Sequence, residues 1–131
     1  METVTYEIAL EQFGALKGLG SIALDEKAAW GVARNLARFK RVLKPIEEEI
    51  TEGHQAAIDL YAEKDGDGKP RVVNGNYDFG DNYKSYQKRV KELESTEVQI
   101  DYFKIKQSDF PKTELKGILL APLLDYIITE D

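Results

Sequence analysis

The chain has 131 residues, of which 18 are Lys or Arg and 24 are Asp or Glu, giving a formal net charge of −6. With no cysteine and one histidine it excludes disulfides, thiolate metal centres, cysteine nucleophiles and most zinc sites and His-based triads. An apolar content of 42% suits a folded chain, and the acid excess sets up a field that repels nucleic acid and anionic lipid, so direct nucleic-acid binding is not expected.

In chain order, Thr3 to Ala9 alternates, with Val4, Tyr6 and Ile8 on one face, and predicts a short strand. Leu10, Phe13, Leu16 and Leu19 then take helical spacing and predict a short helix ending near Gly18 to Gly20. Asp25 is placed as the N-cap of the dominant element, with Glu26 in its first turn. From there Ala29, Val32, Leu36, Phe39, Leu43, Ile46, Ile50, Gly53, Ala57 and Leu60 recur every three or four residues, the seam of one long helix reaching about Glu63. Trp30 widens that stripe at its start and is expected to be buried. Pro45 removes the backbone bond to Arg41, which predicts a kink or a break.

Lys64 to Pro70 is a turn cluster, and Asn74-Gly75 between short β-prone runs predicts a hairpin. Tyr83, Tyr86, Val90 and Leu93 predict a second, shorter helix antiparallel to the first, with Asp59 near Lys84 and Glu52 near Lys91. Glu97 to Lys106 reads as a strand with a bulge at Tyr102-Phe103, Ser108 to Gly117 as irregular or one turn of helix, and Ile118 to Ile128 as a short C-terminal helix. The expected architecture is a single α+β domain over residues 1–131: a long helix, a shorter antiparallel helix, small antiparallel β elements and a short C-terminal helix.

Met1 to Glu7 lacks a basic, then apolar, leader, and the apolar run Ile118 to Leu124 is interrupted by Pro122, so neither a secretory signal nor a membrane span is expected. A soluble, cytoplasmic protein is the expectation.

Some segments carry a resemblance. These are Leu24-Asp25-Glu26-Lys27-Ala28-Ala29-Trp30-Gly31-Val32-Ala33-Arg34-Asn35-Leu36, the Leu60-Tyr61 pair before a Gly/Asp turn, Glu92-Leu93-Glu94, Glu97-Val98-Gln99-Ile100 and Leu120-Ala121-Pro122-Leu123-Leu124. Together they resemble a diffuse group of small proteins encoded by tailed bacteriophages and prophages. The resemblance implies a viral setting, in the cytoplasm of an infected bacterium or in the virion, and implies no activity and no functional residues.

Asp65-Gly66-Asp67-Gly68 fails the ligand spacing of a calcium loop in both registers and reads as a turn. His54 has no second ligand three or four residues away and reads as an ordinary boundary histidine. Glu47-Glu48-Glu49 and Glu52 point around the helix axis and read as a solvated face. No nucleophile elbow and no phosphate-cradling loop is present, so neither an enzyme nor a bound cofactor is expected.

Arg34, Arg38 and Arg41, with Lys40 and Lys44 nearby, form the candidate contact for an anion or an acidic partner. The ordinary alternative, which is favoured, pairs them with Asp101, Asp109, Glu114 or Asp125. Two functions follow as expectations. One is a phage interaction protein, a virion component or assembly accessory, that self-associates into a homo-oligomer through helix packing along the seam. The other is a phage-encoded acidic inhibitor of a host defence or nucleic-acid-binding protein.

Overall fold

Thr5 ends the first strand and starts the first helix. The computed structural model describes residues 1–110, 121–124 and 126–129. β1 (Glu2–Thr5) stops at Thr5, whose backbone is extended and whose Oγ1 accepts the Ile8 N–H at 3.2 Å. α1 (Tyr6–Gly20) begins there. The strand expected through Ala9 is therefore shorter: the hydroxyl cap and the helical spacing of buried Tyr6, Ala9, Gln12, Leu16 and Leu19 outweigh the two-residue alternation. The fold class is α+β, as the sequence predicts.

α2 (Glu26–Tyr61) is one helix of 36 residues. The Asp25 carbonyl accepts its first helical bond from Ala29 N at 2.8 Å, which places Asp25 at the expected N-cap position. Pro45 lies inside the helix and does not break it. The proline takes a donor from the Arg41 carbonyl, and Arg41 is exposed, so water can take that donor's place.

The chain forms two compact units, Met1–Lys44 with Glu97–Asp131, and Pro45–Thr96. In the first, β4 (Glu97–Ile100) pairs antiparallel with β1, Val98 opposite Val4. The strand expected to run on to Lys106 is interrupted at 101–104. It resumes as β5 (Ile105–Lys106), which joins a different sheet, parallel to β6 (Ile128–Thr129), with Ile105 opposite Ile128. Within the helix expected over Ile118 to Ile128, Ala121–Leu123 forms one 3-10 turn and Ile128 lies in β6. Pro122 starts no longer helix, and β-branched Ile128 finds a strand partner in Ile105. Positions 118–120 and 125 of that segment, and 111–117 of the preceding one, lie outside the described residues. Phe39 is central to this unit, fully buried, its ring 6.1 Å from that of Phe13 and 5.9 Å from that of Tyr102.

In the second unit, Asp65 closes the turn after α2 by accepting the Asp67 and Lys69 N–H groups on Oδ1. β2 (Val72–Val73) and β3 (Asn76–Tyr77) form the expected hairpin. Its two turn residues, Asn74 at φ 53 and Gly75 at φ 81, take the left-handed conformation that a two-residue hairpin requires. α3 (Tyr83–Glu94) runs antiparallel to the second half of α2: Asn82 Nδ2 donates to the Tyr61 carbonyl at one end, and Leu93 packs on Gly53 at the other. Tyr86 stacks on buried Phe79 with ring centroids 3.9 Å apart. The two expected charge pairs do not form among the described residues; Asp59 Oδ1 accepts from Gln55 Nε2, and Lys64 Nζ donates to the Asp59 carbonyl.

The seam is spent inside these units. Val32, Phe39, Leu43, Ile50 and Ala57 are buried, Leu36, Ile46 and Gly53 are half-buried, and only the ends, Ala29 and Leu60, are exposed. An association that needs a bare seam therefore has none to use within Val32 to Ala57. Among the described residues, no helix is long and apolar enough to cross a membrane.

Candidate interaction face on the long helix

Trp30 is 62% exposed, against the expectation of burial. The inward face at this end of α2 is made by Ala28, Gly31, Val32 and Asn35, all buried. Gly31 carries the contact: a Cβ there would lie 2.6 Å from Ile105 Cγ1, so β5 sits directly against helix backbone. Trp30, one step of about 100° away, is turned out of that contact. With Glu26, Lys27, Ala29 and Ala33 it lines an open hollow of about 690 Å³.

The three arginines do not act as one cluster. Arg34 is exposed, and its guanidinium lies 4.7 Å from the centroid of the Phe103 ring and 5.9 Å from that of Trp30, in the range of cation–π attraction to both. Arg38 is half-buried and held within the fold: Nη1 is 3.4 Å from Asp101 Oδ2 and donates to the Asp101 carbonyl at 2.9 Å. This is one of the pairings expected from the sequence, and with Asp101 largely exposed it contributes about 0–1 kcal/mol. Arg41 is exposed, has no ion-pair partner among the described residues, and borders a second hollow of about 350 Å³ with Met1, Val42 and Gln99. Glu114 and Asp125, two other expected partners, lie outside the described residues.

Trp30, Arg34, Ala37, Arg41 and Lys44 follow one another at spacings of four, three, four and three, one outward stripe of the helix, and all are exposed. The second half of α2 carries its own outward stripe, Glu48, Glu52, Gln55 and Asp59, also exposed. Charge is divided between the halves. Six basic residues stand against one acid from Glu26 to Lys44, and five acids stand against no Lys or Arg from Pro45 to Tyr61.

His54 is half-buried, and its Nε2 has no hydrogen-bond partner among the described residues. Among those residues no three His, Cys, Asp or Glu side chains converge as a metal site. Sequence reasoning missed Asn35 and Gln12, the two fully buried polar side chains among the described residues. The available signal was position: Asn35 falls three residues after Val32 and four before Phe39, on the core face. Comparison of the chain with protein-family models, curated proteins and solved structures finds no match.

Proposed function

We propose that this chain is a non-enzymatic interaction protein that self-associates through helix surfaces, as a component of a bacteriophage particle or an accessory of its assembly. The observation that carries the reading is the exposure of Trp30, the only tryptophan, on the outward face of α2. Burying such a side chain removes a large apolar area from water, and Trp with Arg beside it is the composition that dominates binding energy at protein interfaces. Small neighbours at Ala29, Ala33 and Ala37 let a second surface approach the helix closely. The phage setting rests on the sequence resemblance.

A second reading, an acidic inhibitor of a host defence or nucleic-acid-binding protein, draws support from the outward acids of α2 between Glu47 and Asp59, which include no Lys or Arg. Sedimentation equilibrium from low to high micromolar concentration tests the first reading. A mass rising above 14.8 kDa is expected. A strict monomer throughout overturns self-association, and a tight complex of that monomer with a host nucleic-acid-binding enzyme would install the second reading.

A further inference from the structure

We propose that the surface which docks on the Trp30 stripe is the acidic stripe of a second copy of this chain, so that Arg34, Arg41 and Lys44 of one copy meet Glu48, Glu52 and Asp59 of another. This rests on the self-association reading and names its two contacting surfaces.

A solvated helix ordinarily intersperses its charges, so that acids and bases three or four residues apart support one another. α2 does the opposite. Apart from Lys44 with Glu47 and Glu48, no basic residue of α2 has an acid three or four positions away within the helix. Like charges occupy those spacings on the two outward stripes instead: Arg41 with Lys44, and Glu48 with Glu52, while Arg38 is already paired with Asp101. Each such pair costs a few tenths of a kcal/mol in an isolated chain. An opposite stripe supplied by a second copy relieves both sets, and the chain carries both stripes. Arg34 is already held over the Phe103 ring, so less side-chain freedom is lost when it meets a carboxylate. Trp30 and the alanines give the contact its apolar area, and the charges select the partner surface.

Two charge-reversed chains test this. One is Arg41→Glu with Lys44→Glu; the other is Glu48→Lys with Glu52→Lys. All four positions are exposed. Circular dichroism and urea unfolding establish that each chain is folded, and sedimentation equilibrium reads the association. The wild-type chain should dissociate as salt is raised, each reversed chain alone should associate roughly tenfold more weakly or worse, and an equimolar mixture should recover a heteromer. Wild-type association that is unchanged by salt overturns the proposal even where a reversed chain fails to fold. So does undiminished self-association of both reversed chains, or a mixture that stays dissociated; in each of these cases self-association itself stands. A wild-type chain that is monomeric at every salt concentration overturns the self-association reading and this proposal with it.

Discussion

Asn35 and Phe103 exchange two hydrogen bonds: Asn35 Nδ2 donates to the Phe103 carbonyl, and the Phe103 N–H donates to Asn35 Oδ1, each at 2.8 Å. The same Nδ2 also donates to the Gly31 carbonyl at 3.0 Å. A fully buried side-chain amide thus stands in for a strand partner where β4 and β5 are interrupted. The clamp also sets Phe103 beneath Arg34, so it supports the outward face as well as the core.

Removing that amide should be costly. Asn35→Ala leaves the Phe103 N–H and carbonyl without their partner, and unsatisfied buried groups cost about 1–3 kcal/mol each. A destabilisation of roughly 2–4 kcal/mol in urea unfolding is expected. A loss below about 1 kcal/mol would show that water replaces the amide there.

Two glycines of α2 should respond differently to alanine. At Gly31 a Cβ would lie 2.6 Å from Ile105 Cγ1 and 2.7 Å from Cδ1, and the first of these atoms is not a side-chain tip. Gly31→Ala should destabilise by about 1–3 kcal/mol despite the gain in helix propensity. At Gly53 the nearest atoms, 2.7 and 3.2 Å away, are the two terminal methyl carbons of Leu93, which can rotate. Gly53→Ala should be near neutral, the propensity gain of about 1 kcal/mol offsetting the shift. Thermal unfolding of the two variants side by side checks the contrast, and equal losses would contradict it.

Tyr102 gives the fold an alkaline limit. Burial pushes its phenol up to about 12 from 10.0, and the negative charge of Glu2 and the Tyr126 phenol add to that shift. Below pH 10 the phenol is protonated in both states and contributes no pH dependence. Between pH 10 and about 12 the unfolded chain releases the proton and the folded chain keeps it, so stability falls, by roughly 2–3 kcal/mol in total. Tyr102→Phe should cost about 1–3 kcal/mol at neutral pH, because Gln12 Oε1 loses a donor at 2.6 Å. It should also lose less stability than the parent across that alkaline window. Parallel pH slopes for parent and variant would assign the fall to other groups.

The features legible in the sequence are local ones. Asp25 and Glu26 mark the start of α2 by residue type, Asn74-Gly75 makes its turn from its own backbone preferences, and Tyr86, Val90 and Leu93 mark α3 by period. The illegible ones depend on residues distant in sequence. Trp30 is turned out because β5 lies against Gly31, and Ile128 is a strand residue because Ile105 is its neighbour. Thr5 misled by offering a cap inside an alternating run. The spacing of Arg34, Arg38 and Arg41 placed them on one helix, while their separation into a stacked, a paired and an exposed side chain follows from Phe103 and Asp101.

The exposed Trp30 face should be an interface in the associated protein and a water-facing surface in the monomer. The chain has one tryptophan, so emission under excitation selective for tryptophan over its seven tyrosines reports that face alone. Trp30→Ala should cost no more than about 1 kcal/mol of stability, the worth of an exposed cation–π contact with Arg34, while weakening association. The most direct measurement is the emission maximum and acrylamide quenching of wild-type Trp30 as protein concentration rises from low to high micromolar. The account predicts red-shifted, readily quenched emission at low concentration that moves to the blue and becomes protected as the chain associates. Blue-shifted, protected emission in the dilute monomer, or red-shifted and fully quenchable emission in a proven oligomer, would contradict it.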